Sequence, residues 1–255
     1  MQPRTVTPLL YGELAPWWPL MSAPADYQDA AQFYQKVLVE SCSQPPATML
    51  ELGSGGGNNA SHLKHNFQLT LVDVAPGMLK VSKQLNPECA HICGDMRSVR
   101  LAREFDCVFV HDAVGYMTTQ SDLRRAMQTA FVHCRPGGAV LMAPDHTREN
   151  FRPSTRHGGH DGHGRALRYL EWTWDPDPDD ETYVVDCAYL LRDEDNSVRV
   201  LKDRHEEGLF PRARWLGLMT DVGFAPSTVG FEHSEMSGVQ LEVFVGKKPE
   251  TGSNA

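Results

Sequence analysis

The stretch Met49-Leu-Glu-Leu-Gly-Ser-Gly-Gly-Gly57 decides how the chain is read. Its apolar start reads as a strand that carries Glu51 near its end and runs straight into a glycine turn at Gly53, Gly55 and Gly57. Glycine has no Cβ, so the backbone at Gly53 and Gly55 can take conformations closed to other residues and let a ligand lie against the main chain itself. The dinucleotide fingerprint G-x-G-x-x-G uses a similar turn but needs a third glycine where helix and strand pack closely, and here that position is Asn58. The spacing is E-x-G-x-G-x-G instead. Sixteen residues after Gly57, the apolar stretch Leu69-Thr-Leu-Val-Asp73 ends in an acid at the tip of a second strand.

A carboxylate so placed can accept both hydroxyls of a ribose. The loop and Asp73 together resemble the class I S-adenosylmethionine-dependent methyltransferases, over roughly residues 47–145. The resemblance implies bound S-adenosylmethionine, with Glu51 and the turn Gly53-Ser54-Gly55 beside its methionine part and Glu51 meeting the ammonium directly or through water. Val74 and Met78 lie in a segment similar to the one whose apolar side chains flank the adenine in that family, although a methionine at helical spacing is also an ordinary core residue. Gly94-Asp95-Met96 resembles the family's G-D-[MA], in which the aspartate accepts from the adenine amino group and the next backbone N–H reaches the ring. The plain alternative for Asp95 is a cap on the turn before a helix. The fourth strand ends at His111-Asp112, where the family commonly offers a backbone carbonyl to the methionine amine, so His111 is expected to act without its imidazole.

Composition narrows the classes. A chain of 255 residues can bury a large core and, as an α/β protein, is compatible with one domain carrying an insertion. A net charge of −9 with no run of lysines and arginines gives no footprint for a polyanion, so nucleic acid is not expected as a partner. No charged-then-apolar leader is seen, nor an apolar run approaching the roughly 18 residues of a membrane helix, so no membrane association and a cytoplasmic location are expected. Six cysteines, at 42, 89, 93, 107, 134 and 187, show no zinc-type pairing and read as small buried hydrophobes. Cys89, His91 and Cys93 fall on one strand, where packing rather than a metal is expected. The segment Arg156-His-Gly-Gly-His-Asp-Gly-His-Gly-Arg165 carries three histidines, but its glycines offer little of the rigidity a metal site needs. A mobile loop over the cleft, with no metal, is the expectation.

Apolar stretches alternate with helical patterns over the first 145 residues, the signal of a parallel sheet with helices on both faces. Strands are expected at Thr48–Leu52, Gln68–Val74, Ala90–Cys93, Phe105–Val110 and Ala139–Ala143, each continuous enough in apolar residues for burial on two faces. Leu123, Met127, Ala130 and Phe131 make one helical face, and Arg135-Pro-Gly-Gly138 breaks that helix before the fifth strand. Beyond residue 145 three period-two segments follow, Ala166–Trp174, Thr182–Arg192 and Ser197–His205, separated by an acidic loop at 175–181 and a turn at 193–196. Pro211–Asp221 reads as the last helix, Val229–His233 with Leu241–Gly246 as a closing antiparallel pair, and Lys248–Ala255 as a mobile tail. The fold class is therefore α/β, a doubly wound, mostly parallel seven-stranded sheet with an antiparallel β insert after strand 5. One domain over 1–255 is expected, with an N-terminal cap at about 1–40 and the insert, about 146–210, as a lid.

Other pieces resemble, more locally, the nucleotide-sugar N,N-dimethyltransferases. Ala15–Tyr27 is similar to their N-terminal Ala-x-x-Tyr-Asp segment followed by Asp-Tyr, which brings Tyr27 to the cofactor; Glu149-Asn-Phe151 and Arg204-His-Glu-Glu-Gly-Leu-Phe210 also match. Trp18 stands where their tyrosine aligns, and Tyr116 where their histidine does. These departures fall where a small-molecule acceptor belongs, so its identity, and methylation at N or O, stay open. His205, His146 and Tyr116 are the candidates for catalysis, with Asp112 beside them; Trp18, Tyr116 and Trp172 are candidates for holding the acceptor, and Trp17 and Trp174 for walling it. A non-catalytic S-adenosylmethionine-binding protein and an NAD-dependent dehydrogenase are the competing classes, the second weakened by the switch to antiparallel strands where a second βαβ half would follow. A homodimer is compatible with the sequence, which fixes no oligomeric state.

Overall fold

The computed structural model describes residues 8–232 and 240–250. Short helical turns at Leu9–Tyr11, Ala15–Trp17 and Pro24–Tyr27, with α1 (Trp18–Met21), lead into α2 (Gln28–Ser41). Then come β1 (Thr48–Leu52), α3 (Asn58–Leu63), β2 (Gln68–Asp73), α4 (Pro76–Leu85), β3 (Ala90–Cys93), β4 (Phe105–Val110), α5 (Gln120–His133) and β5 (Cys134–Met142). The insert holds β6 (Ser154–Gly158), β7 (Asp161–Gly162), β8 (Arg165–Trp174), β9 (Thr182–Arg192) and β10 (Val198–Gly208), and α6 (Arg212–Val222), β11 (Ala225–Glu232) and β12 (Gln240–Lys247) close the chain. Among the described residues no helix is long and apolar enough to cross a membrane.

The main sheet has the order β11-β12-β5-β4-β1-β2-β3, parallel except for β12, which runs antiparallel to β5 and β11. Strand order reverses between β1 and β4, and in an open α/β sheet a ligand belongs off the carboxyl ends of strands at such a point. Two cores cover the two faces. One gathers Leu123, Met127 and Ala130 of α5 with Trp215 of α6, whose indole stacks on Phe244 at 4.9 Å; the other gathers Tyr34 and Leu38 of α2 with Leu63 and Phe67. Thr119 caps α5, its hydroxyl accepting from the Asp122 amide.

Several boundaries differ from expectation for local reasons. β2 stops at Asp73 because that carboxylate turns to accept the Ala75 amide, which leaves Val74 outside the strand. β3 is the sheet edge, so its burial is partial rather than two-sided, and Cys93 is exposed; Cys42 and Cys89 are only partly covered as well. His91 on that strand is tied to the Ser82 hydroxyl at 3.0 Å and to the Cys89 carbonyl at 3.0 Å. Arg135-Pro-Gly-Gly138 lies within β5 instead of before it: Gly137 at φ +75° makes an irregularity that lets Cys134 still pair with Phe105. β11 starts at Ala225, earlier than expected, and His233 lies outside the described residues. The tail begins tied down, Lys248 donating to the carbonyls of Phe131 and Cys134.

The largest difference concerns the histidine-rich segment. It is a hairpin rather than a loop, because β6 and β7 both pair with β8, and the His160 amide donates to Leu20 in the N-terminal segment. The insert sheet, β10-β9-β8-β6, has an inner face on which Leu167, Cys187, Tyr189 and Leu191 pack against Leu10, Leu14 and Trp17. The Arg165 guanidinium lies 3.6 Å from the Trp17 ring centre.

One side chain fixes the register of three central strands. Asp106 Oδ2 accepts the amides of Ala47 and Thr48 at 2.6 and 2.8 Å, while Oδ1 meets Arg135 of β5 at 2.6 Å. Burial works to raise its pKa, but those amides and the guanidinium outweigh it and hold the carboxyl below its ordinary value. Asp106→Ala should lower unfolding stability in urea by about 3 kcal/mol, since two amides lose a charged acceptor. A depressed acid stabilises above its unfolded pKa and loses that effect as pH falls through the folded value, so the difference from wild type should shrink below about pH 4.

Candidate active site

The turn after β1 is built from left-handed backbone, with φ of +75° at Gly53, +52° at Gly55 and +81° at Gly57. The amides of Gly53 and Ser54 both donate to the Val72 carbonyl, at 2.8 and 3.0 Å. What each glycine spares differs. A Cβ at Gly53 would strike Ala113 and the Met96 methyl, at Gly56 the Trp18 indole, and at Gly57 Ser82 and Asn86, so at these positions the protein itself occupies the room. At Gly55 the nearest atom would be the Met78 methyl at 3.8 Å, and this is the stretch of main chain a ligand can reach. The sequence had assigned that role to Gly53 as well.

Asp73 is fastened at both oxygens, Oδ2 to the Gly55 amide and Oδ1 to the Ala75 amide, each at 2.8 Å. Each oxygen keeps a lone pair, a geometry suited to two neighbouring hydroxyls. Burial raises its pKa, against the pull of the Ala75 and Gly55 amides. Glu51 lies behind it, 2% exposed, with Oε2 lacking any protein partner; burial and the charge of Asp73 push its pKa up to about 8. Ser54 Oγ, Asn59 Oδ1 and Trp18 Nε1 are buried without partners too. An unmet buried polar atom costs on the order of 1–3 kcal/mol, so four of them around one turn fit an amino-acid nucleoside, whose ammonium and hydroxyls would meet them.

The expected adenine side is mixed. Met78 is buried beneath Trp18 and Tyr11, and Val74 is exposed at the strand end. Asp95 is engaged within the protein: Oδ1 accepts the Arg97 amide at 2.8 Å and the Arg97 guanidinium grips both oxygens. Met96 packs on Gly53. The His111 carbonyl accepts the Val114 amide, and its imidazole is set between the Tyr34 hydroxyl at 3.1 Å and Asp112 at 3.0 Å. Tyr27 bonds the Ser22 hydroxyl and stands edge-on to His111.

Beyond the turn, β10 presents Leu201, Asp203, His205 and Glu207 on its inner face. Tyr11 and Tyr116 hydroxyls are 2.8 Å apart, Tyr116 is 2.6 Å from His205 Nδ1, and His205 Nε2 is 3.3 Å from Asp203, which also accepts the Leu10 amide. Burial raises the pKa of both tyrosines. The Tyr183 hydroxyl donates to Glu207, whose carboxyl abuts Gly115; burial and the charge of Asp145 push Glu207 up to about 8. His146 is buried edge-on to Phe151 and Tyr183, with burial lowering its pKa against the opposing charge of Asp145. A side-chain hydrogen bond couples Asp112 and Asp145. Burial and Asp145 raise Asp112, whereas Asp145, although burial opposes it, is held below its ordinary value by that hydrogen bond and by His146, His111 and Arg156. Asp112 is partly covered and Asp145 is exposed, so water reaches both.

The structure thus brings His205, Tyr116 and His146 around Tyr183 and Glu207. Trp18 lies on the glycine turn, Trp17 is buried under Arg165, and Trp172 is placed apart, on the outward face of β8, stacked at 5.3 Å on Trp174. Sequence reading passed over Glu207, Asp145, Asp203, Tyr183 and Tyr11. Glu207 carried a signal, two residues beyond His205 on a period-two segment; Tyr11 carried none, lying ahead of any regular element.

Main-chain contact at Gly55, an acid suited to vicinal hydroxyls and a buried carboxyl wanting a cation are met together by one molecule. Fold and site fit those of the class I S-adenosylmethionine-dependent methyltransferases, and S-adenosylmethionine is the cofactor that the domain match and the similar structures indicate. Residues 49–138 match the model of a methyltransferase domain family. The chain is 25% identical over 191 residues, 74% of each protein, to dTDP-3-amino-3,6-dideoxy-alpha-D-glucopyranose N,N-dimethyltransferase of Streptomyces fradiae. Its fold is similar to that of DesVI of Streptomyces venezuelae, with a TM-score of 0.76 at 23% identity over 88% of this chain and 92% of that one. It is likewise similar to CalS10 of Micromonospora echinaspora, an amino pentose methyltransferase solved with S-adenosylmethionine bound, with a TM-score of 0.72 at 20% identity over 87% and 91%.

Two consequences for binding follow. Asp73→Ala should weaken S-adenosylmethionine by about 100-fold or more in titration calorimetry, since two charge-assisted hydrogen bonds to hydroxyls are each worth about 1.5–3 kcal/mol. Because Glu51 is protonated near neutral pH and must lose that proton to meet an ammonium, affinity should rise from pH 6 toward 8 with proton release, and Glu51→Gln should flatten the rise.

Proposed function

We propose that the chain methylates the nitrogen of a small-molecule amine, an amino sugar of the kind named in its relatives. The observation that carries this reading is the carboxyl wall of the cleft: Asp112, Asp145 and Glu207, with Glu171 facing in from β8. An amine reaches the cleft as a cation, and a cluster of acids raises its local concentration. To react, the amine must then give up a proton and keep its lone pair free.

When bound, the cofactor supplies an electrophilic methyl on a sulfonium. The protein's part is to orient the acceptor, exclude water and take the proton. Holding acceptor and methyl in line supplies about 7–11 kcal/mol. Glu207, at about 8, has the proton affinity wanted of a base working near neutrality. Tyr116, fixed by Tyr11 and His205, lies beside it and orients the amine, while His146 and Tyr183 close the far side. Glu51, Gly55, Asp73 and Ser54 hold the cofactor in this reading, with Met78, Val74, Asp95, Met96, His111 and Tyr27 around it. The insert serves as a lid and the N-terminal segment as its lining. Free cysteines at all six positions fit a reducing cytoplasm as the place of action.

Incubation with S-adenosylmethionine and a set of amino sugars, alcohols and carboxylic acids, read by mass, should add methyl groups to amines alone; a methylated hydroxyl or carboxyl would overturn the reading. Glu207→Gln should lower kcat by about 10²–10⁴-fold with cofactor affinity kept within a few-fold. In the wild type kcat/KM should rise with pH to about 8, as a base of that pKa loses its proton, and the rise should disappear in the variant.

A further inference from the structure

Two of the six cysteines meet in the fold. Cys42 caps the C-terminal end of α2 and Cys107 lies within β4, 65 residues further along the chain, yet their sulfurs are 3.7 Å apart. Cys42 Sγ is also 3.6 Å from the Asp106 carbonyl oxygen, and the amide of the next residue, Ser43, donates to the Gly137 carbonyl at 2.8 Å. Cys42 is thereby held against β4 and β5. The two thiols differ in access: Cys107 is fully buried between β1 and β5, whereas Cys42 is only partly covered. Ser43 and Arg135 line a surface recess of about 400 Å³, which brings solvent to the residue next to Cys42. They differ in protonation too. The hydrogen bond with Cys107, the Ala139 main chain and the Arg135 guanidinium hold the Cys42 thiol below its ordinary pKa against burial, and the same contact with burial pushes Cys107 up. The thiolate is the reactive form of cysteine.

We propose that Cys42 is a hydroperoxide-reactive site and that Cys107 resolves its product into a reversible disulfide. The Cys42 thiolate attacks one oxygen of hydrogen peroxide, the O–O bond breaks, hydroxide leaves, and Cys42 becomes a sulfenic acid. The Cys107 sulfur then displaces the sulfenic oxygen, which departs with the Cys107 proton as water, and an S–S bond forms. Peroxide gains the two electrons that the two thiols lose. The sulfurs must close from 3.7 Å to about 2 Å, and the Cys42 side chain, at a helix end rather than inside the sheet, is the one placed to move. Cys93 is more exposed, but its sulfur lies 3.8 Å from the Val74 carbonyl oxygen at the far edge of the sheet, not beside a second thiol. The pair sits in the first half of β4, while the cleft opens off the carboxyl ends of the strands, so the bond staples α2 to the sheet without entering the site. In a reducing compartment it is transient, and while it lasts it keeps Cys42 from irreversible oxidation to the sulfinic acid.

The test is peptide mapping by mass on the full chain after exposure to hydrogen peroxide and alkylation of the remaining thiols, with and without dithiothreitol. Expected is a peptide pair joined through Cys42 and Cys107, two hydrogens lighter than the sum of its parts, which dithiothreitol separates. Cys107→Ala should instead leave Cys42 as a sulfenic acid trapped by dimedone, and Cys42→Ser should give no joined pair, with far-ultraviolet circular dichroism as the check that each variant is folded. The oxidised wild type should unfold at a higher urea concentration than the reduced one, since the bond restrains the unfolded chain. A Cys42 that stays open to alkylation while Cys93 oxidises, a sulfinic Cys42 beside a free Cys107, or a bond from Cys107 to Cys134 would overturn the proposal; an unchanged or lower urea midpoint would overturn the staple. The wild-type map decides even where Cys107→Ala fails to fold.

Discussion

The carboxylate of Asp73 is the constraint from which the rest of the site follows. It sits at the end of β2 and holds the amides of Gly55 and Ala75, so one side chain sets both the glycine turn and the start of α4. The turn is also hung from β2 by the Val72 carbonyl, which takes two of its amides. Without these ties the left-handed residues 53, 55 and 57 would have no reason to hold one conformation, because glycine is the residue with most freedom to lose. The acid therefore acts twice, first as a brace and then, with its remaining lone pairs, as the group that selects vicinal hydroxyls.

Charge in the site is stored against stability. Glu51 and Glu207 both have native pKa values near 8, above those of an unfolded chain, so the native state binds more protons between about pH 4 and 8 and its stability declines as pH rises through that window. A cation placed beside either group reverses the sign of its contribution. The protein is thus least satisfied where the cofactor and, in the proposed reading, an amine acceptor would enter, each with a positively charged nitrogen. Asp112 and Asp145 are pushed in opposite directions by their mutual hydrogen bond, Asp112 up and Asp145 down.

Much of this was legible in the chain because it is local. The Gly-rich turn, Asp73 and the five parallel strands are consequences of short-range patterns: glycine spacing, apolar runs of strand length and a helical face in α5. The period-two segments of the insert were legible too, and their alternation is what sets Leu201 and His205 on one face of β10. What escaped depended on pairings between distant residues. The histidine-rich segment has no strand pattern of its own; it becomes a hairpin because β8 offers it an edge. Trp172 was legible as an aromatic on the insert, but its side of the sheet depends on register, and a one-residue parity separates the cleft from the outer surface. Asp145 lies just before a histidine that drew attention, and its meaning came only from Asp112, more than thirty residues earlier, at the end of the neighbouring strand.

Tyr11, Tyr116, His205, Asp203 and the Leu10 amide form a closed circuit, leaving from residue 10 and returning to residue 11 through the turn after β4 and through β10. Three of the links are hydrogen bonds between residues 89 to 193 apart, and the fourth joins His205 to Asp203 on the same strand. Among the described residues ahead of α2 no helix is long enough to be stable alone, so this stretch owes its position to the circuit and to the apolar contacts of Leu10, Leu14 and Trp17 with the insert. The insert in turn owes its inner face to that segment, which covers apolar side chains that would otherwise meet water. Trp18 continues from the same segment onto Gly56, at the edge of the cofactor turn. Acceptor-side and cofactor-side groups are therefore joined through one short stretch of chain, and a shift of Tyr11 moves the hydroxyl of Tyr116 and the indole above the glycines together.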